Sequence, residues 1–363
     1  MARLGDYVRI RTGKLDANAS SENGQYPFFT CAVEPLRIDS FSYDCECVLV
    51  AGNGDLNVKY YNGKFDAYQR TYIIESLDKS ILSVPYLYCF LEEYVETLRL
   101  QSIGGVIKYI KLGNLTEAPI PLPSLDEQER IVEQCEHAKK LLSLRKQQLA
   151  KLDELVKSRF IELFGDVIHN SKAWQMRLFA DIASSRLGKM LDAKQQTGKC
   201  SYPYLANFNV QWFRFNIENL NQMDFDEDDR AEFELKDGDL LVCEGGEIGR
   251  CAVWHNEIQP CFFQKALHRV RCNRQIIQPD YLAWWFKYKC DYDGFAAIAG
   301  AKATIAHLPG VKLKQLQVAV PPIELQQQFA AFVEQTDKSK LVVQQSIDQL
   351  ETLKKSLMQK YFG

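Results

Sequence analysis

The chain has 363 residues, of which 46% are hydrophobic and 25% are charged, and its formal net charge is -3. This composition is typical of globular proteins and excludes disordered, collagen-like and low-complexity chains. The length predicts roughly two domains. No apolar run approaches the ~20 residues of a membrane helix, and no apolar signal segment opens the chain. We therefore expect a soluble, cytoplasmic protein without a membrane partner.

The net charge and the cysteine pattern further limit the kinds of binding site that this protein can contain. A slightly acidic chain does not fit binding driven by non-specific phosphate attraction, but reading of base edges rests on hydrogen bonds and stays possible. The 11 cysteines and five histidines are scattered, and no CxxC spacing occurs. A zinc site of paired CxxC motifs is therefore not expected, and the thiols should be reduced and packed as small hydrophobic side chains.

The first domain is predicted over residues 1–122. A buried β run, Val48-Leu49-Val50-Ala51, ends at the turn Gly52-Asn53-Gly54. Pro85-Tyr86-Leu87 then opens an aromatic helix, and a glycine-rich loop follows at residues 104–109. Short strands, many turns and one helix predict an α+β domain.

A long helix is predicted over residues 123–166. Ser124 and Glu127 fit a capping box, and Gly165 lies where a helix should end. Spacings of four and three residues predict one apolar stripe along a helix of ~60 Å. Arg145 and Arg159 interrupt the stripe, and they should either extend past an interface or meet acidic partners. The apolar members of the stripe are Ile131, Cys135, Ala138, Leu142, Leu149, Leu152, Val156 and Leu163.

The chain then repeats this order. Residues 167–320 share turn and strand motifs with the first domain and predict a second α+β domain. The corresponding motifs are Gly13-Lys14 with Gly188-Lys189, Tyr26-Pro27-Phe28 with Tyr202-Pro203-Tyr204, Val48 to Gly54 with Leu240 to Gly246, and Tyr68-Gln69 with Phe263-Gln264.

Residues 321–363 repeat the long helix without a gap, at an offset that carries Phe164-Gly165 onto Phe362-Gly363. Two long helices with one stripe each predict an antiparallel coiled coil that separates two pseudo-repeated α+β domains. The alternative is that each helix packs separately on its own globular domain. The stripe of the second helix is Phe329, Val333, Val343, Ile347, Leu350, Leu357 and Tyr361, with Thr336, Lys340 and Lys354 at the remaining positions.

The order domain, helix, domain, helix resembles the specificity (S) subunit of type I DNA restriction–modification systems. The signature is Pro121-Leu122-Pro123-Ser124-Leu125-Asp126-Glu127-Gln128, and a weaker copy is Val320-Pro321-Pro322-Ile323-Glu324-Leu325-Gln326-Gln327. Gly238-Asp239-Leu240-Leu241 is similar to a strand of the family's target-recognition domains. The first domain departs from that pattern with Cys47-Val48-Leu49-Val50.

The resemblance implies two target-recognition domains that each read one half of a bipartite site in double-stranded DNA. The helix pair would fix the spacing of the half-sites and dock adenine-N6 methyltransferase (M) subunits, two in number, and restriction (R) subunits would join through them. It also implies that the chain is not an enzyme and holds no cofactor. S-adenosylmethionine, ATP and magnesium would belong to the partner subunits.

Candidate DNA contacts are loop residues with long polar or aromatic side chains, because these can bond phosphates or base edges. In the first domain they are Arg11, Lys14, Asn53, Gln69, Arg70, Lys108, Tyr109 and Lys111. In the second domain they are Arg186, Lys189, Glu244, Gln264, Lys265, Lys302, Thr304 and His307.

Two alternatives from other classes remain open at this point. One is a helical adaptor that binds only proteins. The other is a stand-alone site-specific nuclease, in which Glu234-Leu235-Lys236 would join upstream acidic residues at a metal. No adenine-methyltransferase motif and no phosphate-binding GxxxxGK[ST] loop occurs in the sequence.

Overall fold

The computed structural model describes residues 1–192, 196–292, 295 and 307–363. The described residues form two units: Met1–Gln148 with Val343–Gly363, and Leu149–Val342. The division falls inside the two long helices, so each unit combines one globular part with half of each helix. Within the described ranges, no helix has both the length and the apolar character needed to cross a membrane.

The first unit is built on a six-stranded sheet with the order β2-β7-β5-β6-β3-β4. A separate pair, β1 and β8, joins the start of the chain to the segment before the long helix. The elements are β1 Ala2–Arg3, β2 Val8–Thr12, β3 Tyr26–Phe29, β4 Leu36–Ile38, β5 Tyr43–Ala51, β6 Val58–Ala67, β7 Thr71–Ser76, α1 Val84–Gln101, α2 Leu112–Thr116, β8 Pro119–Ile120 and the beginning of α3 Leu125–Phe164.

The second unit has a four-stranded sheet, β10-β18-β15-β16, and a three-stranded sheet, β14-β11-β17. Strands β9 and β19 pair as β1 and β8 do. The elements are β9 Gln175–Leu178, α4 Phe179–Ile182, β10 Ala183–Leu187, β11 Ser201–Leu205, β12 Val210–Gln211, β13 Arg214–Phe215, β14 Asn221–Asp224, α5 Glu227–Phe233, β15 Leu240–Cys243, β16 Cys251–Val253, β17 Phe262–Phe263, β18 Leu267–Cys272, α6 Pro279–Asp291, α7 Gly310–Lys314, β19 Gln317–Val320 and the beginning of α8 Ile323–Phe362.

Strand pairing confirms the predicted α+β repeat. β3 pairs with β6 in parallel, with Phe28 opposite Asp66, and β11 pairs with β17 in parallel, with Tyr204 opposite Phe262. The matched Tyr-Pro motifs therefore begin equivalent strands.

One detail of the predicted repeat is wrong by one residue. The Tyr68 amide donates to the Phe29 carbonyl, and the Gln264 amide donates to the equivalent Leu205 carbonyl. Tyr68 thus corresponds to Gln264 rather than to Phe263. In the same way, Lys189 pairs with Gln264 as Leu15 pairs with Tyr68, so Lys189 corresponds to Leu15 and not to Lys14. The loops differ in length by one residue, which a match of residue types does not reveal.

The two long helices are 40 residues each, and α3 ends where the sequence predicts. Gly165 has φ +69° and its amide donates to the Ile161 carbonyl at 2.8 Å. A residue with a Cβ is strained in this left-handed conformation, so glycine terminates the helix at low cost.

Inside each unit the halves of α3 and α8 pair antiparallel. In the first unit the Tyr361 hydroxyl donates to Gln134 Oε1 at 2.8 Å, and Lys146 lies 3.3 Å from Glu351. In the second unit Lys340 pairs with Asp153 at 2.8 Å, and the Phe160 and Phe329 rings lie 5.4 Å apart. Every stripe position of both helices is buried or half-buried.

The helices also enter the globular cores. Ile131, Cys135 and Met358 belong to the apolar cluster of α1, and Val156 and Phe329 belong to that of α6. The two arrangements that the sequence offered as alternatives therefore occur together. Arg145 and Arg159 are half-buried, and each bonds a side chain three residues further along its own helix, Gln148 and Glu162.

Candidate nucleic-acid interface

Four loop segments of the first unit meet where its sheet strands end: residues 13–15, 52–54, 68–70 and 108–110. We call them the first loop face. Backbone hydrogen bonds tie each segment to the next, so the side chains stand on a fixed frame. These bonds run from Gly13 N to Thr71 O (3.1 Å), Gln69 N to Leu15 O (2.9 Å), Gly52 N to Arg70 O (2.7 Å), Gly54 N to Lys108 O (2.9 Å) and Ile110 N to Gly52 O (3.0 Å).

The second unit repeats this frame with residues 188–189, 244–245, 264–266 and 307–308, which we call the second loop face. Four of the five bonds recur between equivalent backbone groups in the described part of the chain, although the side chains differ. The equivalent bonds run from Gly188 N to Leu267 O (3.0 Å), Lys265 N to Lys189 O (2.8 Å), Glu244 N to Ala266 O (2.9 Å) and Leu308 N to Glu244 O (2.7 Å).

One side chain supports the last segment of each face; it is half-buried in the first unit and buried in the second. The Tyr72 hydroxyl donates to the Ile110 carbonyl at 3.2 Å, and His268 Nε2 lies 3.0 Å from the Leu308 carbonyl. Burial raises the pKa of Tyr72 and lowers the pKa of His268. Both side chains are therefore held in their neutral forms near neutral pH.

Most of the predicted contact residues are brought together on these faces. Lys14, Gln69, Arg70, Lys108 and Lys111 are exposed, Tyr109 is 38% exposed, and Asn53 is half-buried beside Tyr109. On the second face Lys265 and His307 are exposed, and Glu244 and Gln264 are half-buried. Lys302 and Thr304 lie outside the described residues.

Three predicted contact residues are instead held in ion pairs within their units. Arg11 and Arg9 both bond Glu75; burial raises the pKa of that carboxyl, but these bonds outweigh burial and lower it. Arg186 pairs with Glu232, and Lys189 pairs with Asp229 and donates to the Asp224 carbonyl at 2.8 Å. The sequence showed three basic residues near loops but not that an acidic partner lies beside each.

The acidic residues that suggested a nuclease make hydrogen bonds within the second unit. The Asp224 carboxylate accepts the Thr197 hydroxyl at 2.8 Å and the Gly198 amide at 2.8 Å, and these bonds lower its pKa. Asp226 caps α5 by accepting the Asp229 amide at 2.8 Å. In the described part of the chain, no group of three or more His, Cys, Asp or Glu side chains is placed to hold a metal ion.

Comparison with known proteins gives the family. The family model of the type I restriction modification DNA specificity domain matches residues 1–154 and 171–352. The chain belongs to this family. Its members are the DNA-recognition subunits of their systems and are not the catalytic ones, as the resemblance implied.

One curated relative of this specificity chain is the type I restriction enzyme EcoDI specificity subunit of Escherichia coli. The two are 39% identical over 154 residues, which is 42% of this chain and 34% of the relative. The chain thus spans about a third of the length of that relative in this match.

Two solved structures share the fold. The type I restriction–modification S subunit from M. genitalium superposes with a TM-score of 0.64 and 16% identity, over 100% of this chain and 95% of that one. A chain from a structure on complex assembly and conformational transition of the type I R-M system gives 0.61 and 15%, over 99% of this chain and 96% of that one. At these identities the likeness concerns the fold.

The structure also shows what the helix-opening signature of this specificity chain does. Gln128 is fully buried; its amide nitrogen donates to the Ile81 and Pro123 carbonyls, and its oxygen accepts the Ser83 amide at 2.9 Å. Gln326 makes the same three bonds in the second unit, to Ile276 O, Pro321 O and Gln278 N.

Sequence reasoning treated these two glutamines only as part of a motif. Each of them fastens the start of a long helix to the loop that precedes the aromatic helix of its own unit. We name this three-bond arrangement the glutamine clamp. The sequence contained a signal for this arrangement, because a glutamine occurs at the equivalent position in both copies of the repeat. An exposed helix position would not require the same residue twice.

Proposed function

We propose that the chain is the DNA sequence-recognition subunit of a type I restriction–modification complex, and that each loop face reads one half of a bipartite site. The observation that carries the proposal is the repeated hydrogen-bonded frame with different side chains on each copy. A repeated frame supplies the same docking geometry twice, while unlike side chains select unlike sequences.

On the first face the proposed contacts are the side chains that point out without an ion-pair partner among the described residues. Lysine and arginine suit phosphates and guanine, while asparagine and glutamine suit adenine. On the second face Glu244 can accept a hydrogen bond from a cytosine amino group, beside Lys265. The proposed contacts are Lys14, Asn53, Gln69, Arg70, Lys108, Tyr109 and Lys111 in the first unit, and Glu244, Gln264, Lys265 and His307 in the second.

The paired helices are proposed to set the distance between the half-sites and to dock two adenine-N6 methyltransferase subunits. Exposed apolar side chains at equivalent helix positions support two similar docking surfaces. Leu144 is 50% exposed and its repeat partner Val342 is 65% exposed; Leu155 and its partner Leu353 are 49% and 52% exposed. Restriction subunits would join through the methyltransferases, and S-adenosylmethionine, ATP and magnesium would belong to those partners.

The test is to express the chain with a type I methyltransferase subunit and map N6-methyladenine in the host DNA. The proposal expects co-purification of the two proteins and methylation at one two-part sequence. Methyltransferase binding without any sequence preference would support an adaptor instead. Metal-dependent cleavage by the chain alone would support a nuclease.

The spacing role can be tested on the same material. Deleting one heptad from α3 and one from α8 shortens each helix by ~10 Å, which corresponds to about three base pairs of DNA. The gap in the methylated site should shorten while both half-site sequences stay the same. A change in the half-site sequences would contradict the spacing role.

A further inference from the structure

The loop after α1 presents apolar side chains to solvent. Val106 is fully exposed and Ile107 is 62% exposed, and Ile103 and Leu100 nearby are 43% and 88% exposed. Single exposed apolar residues are ordinary, but a cluster of them marks a surface that binds something. Val106 and Ile107 do not contribute to the packing of the fold, because neither belongs to an apolar cluster of the first unit.

This loop is a narrow projection with a fixed base. Ile103 and Tyr109 exchange two backbone hydrogen bonds of 3.0 and 2.9 Å, and this single bridge closes residues 103–109 into a loop. Gly104 has φ +118°, and a Cβ there would lie 2.5 Å from the Ile107 carbonyl oxygen, so the shape requires glycine. We call residues 103–109 the apolar loop.

The base of the apolar loop is part of the first loop face. Asn53 bridges to Tyr109, and the Gly54 amide donates to the Lys108 carbonyl at 2.9 Å. Exposed cations belong to the same segments or follow them directly: Lys108, Lys111 and Arg70 have no ion-pair partner among the described residues. An apolar tip set among such cations is complementary to a polyanion that has apolar groups in its grooves.

Duplex DNA offers one apolar group at base edges, the C5-methyl of thymine, which lies in the major groove. That groove is about 12 Å wide and admits a protein segment as wide as an α-helix, whereas the minor groove is about 6 Å wide. We infer that Val106 and Ile107 contact thymine methyl groups in the half-site of the first unit. This rests on the proposed function and adds a specificity element that hydrogen bonding does not supply.

The experiment measures binding of the full chain, in complex with its methyltransferase, to duplexes carrying the mapped site. Each thymine is replaced in turn by deoxyuridine, which removes only the methyl group. For the wild type, at least one replacement in one half-site should weaken binding by about 3- to 10-fold, as expected for loss of a buried methyl contact. The variant V106S/I107S should bind the unmodified duplex more weakly and should no longer distinguish thymine from uracil there.

The matched control is Leu77→Ser. Leu77 is 63% exposed and follows β7 at the end opposite to the first loop face. It should keep the wild-type affinity and the full thymine-to-uracil ratio. Because the ratio is measured within each variant, a general loss of folded protein does not change it.

Several outcomes would overturn the inference. These are equal wild-type binding to thymine and uracil at every position, a half-site without thymine, or a full ratio retained in V106S/I107S. Loss of the methyltransferase from V106S/I107S with DNA discrimination intact would identify the apolar loop as a protein contact, which also overturns the inference. The proposed function fails separately, if the wild-type complex prefers no sequence at all.

Discussion

The two loop faces share one backbone frame but differ in how some of their basic residues are held. On the first face Lys14, Arg70 and Lys108 are exposed and unpaired among the described residues. On the second face Lys189, at the position of Leu15, is only 16% exposed and is bound by Asp229. The frame constrains backbone donors and acceptors, so the side chains are free to differ. A repeat can therefore carry two surfaces of different chemistry.

In contrast to the loop faces, the buried parts of the two units keep the same side chain and the same hydrogen bonds. The glutamine clamp is the same in both, with the same three backbone partners for Gln128 and Gln326. The polar atoms of a buried glutamine must be paired whatever side chains the loop face of that unit carries. The interactions that stabilise the fold are therefore repeated in both units, whereas the side chains exposed on the two loop faces are not.

The largest expected effect comes from breaking the clamp. Gln128→Leu removes three hydrogen bonds to backbone groups of half-buried or exposed residues, and each such bond contributes about 0.5–1.5 kcal/mol. We expect the free energy of unfolding of the first unit to fall by about 1.5–4.5 kcal/mol. Gln326→Leu should have the same effect on the second unit. Hydrogen exchange resolved along the chain measures each unit separately.

The control for the clamp is Gln327→Leu, because Gln327 directly follows Gln326 in α8 and its side chain is exposed. Glutamine and leucine have similar helix propensities, so the change in stability should stay within about 0.5 kcal/mol. If Gln326→Leu lowered the stability of the second unit no more than Gln327→Leu does, the clamp would not contribute to stability as proposed.

The next effect tests the difference between the faces. Lys189→Met leaves the Asp229 carboxylate, which is 19% exposed, without its cation. We expect the second unit to lose about 1–3 kcal/mol of unfolding free energy, because an unpaired and largely buried carboxylate is costly. Chemical unfolding measures the loss, and adding Asp229→Asn should restore part of it.

The exposed neighbour Lys265 provides the matched control, since Lys265→Met removes the same charge where no ion pair exists among the described residues. Its stability should equal that of the wild type. An equal loss in both variants would mean that the Lys189 ion pair contributes nothing to the second face.

The fold was largely predictable from the sequence and the site only partly. The helix bounds, the repeat and the stripe depend on periodicity and on punctuation by Pro and Gly, which are local signals. Gly165, for example, ends α3 as predicted. Whether a basic loop residue is free or paired depends on a partner far along the chain, as with Lys189 and Asp229. Spacing along a sequence does not carry that information.

A smaller effect is expected for a free cation of the first face. Lys14→Ala removes an exposed charge with no ion-pair partner among the described residues, so stability should not change. DNA affinity should fall by about 3- to 10-fold at low salt, and the slope of log affinity against log salt should become shallower by about 0.9. Titration with the mapped duplex at several salt concentrations measures both.

Lys79→Ala is the comparison variant for this measurement. Lys79 is also exposed and lies in the first unit, but it pairs with Glu46 beyond the far end of β7. Removing it should leave the salt slope unchanged. The same slope change in both variants would show that DNA responds to the overall charge of the unit and not to its loop face.

The smallest effect concerns pH and the side chains that support the last segment of each face. Burial lowers the pKa of His268 below its ordinary 6.5, so below that pH the unfolded chain binds a proton that the folded chain does not. The associated stability is present above about pH 6.5 and is lost as the pH falls, with a slope of at most about 1.4 kcal/mol per pH unit for one proton. Burial raises the pKa of Tyr72, which therefore does not titrate in this range.

At acidic pH the second loop face should consequently become less stable, while the first loop face keeps the hydrogen bond from Tyr72. His268→Gln retains a donor for the Leu308 carbonyl but cannot be protonated, so its stability should fall less steeply than that of the wild type between pH 7.5 and 5.5. Hydrogen exchange at residues 307–308 and 108–110 separates the two faces in one experiment. Equal slopes for wild type and His268→Gln would mean that His268 is already charged in the folded chain, and the two supports would then not differ in the way their burial predicts.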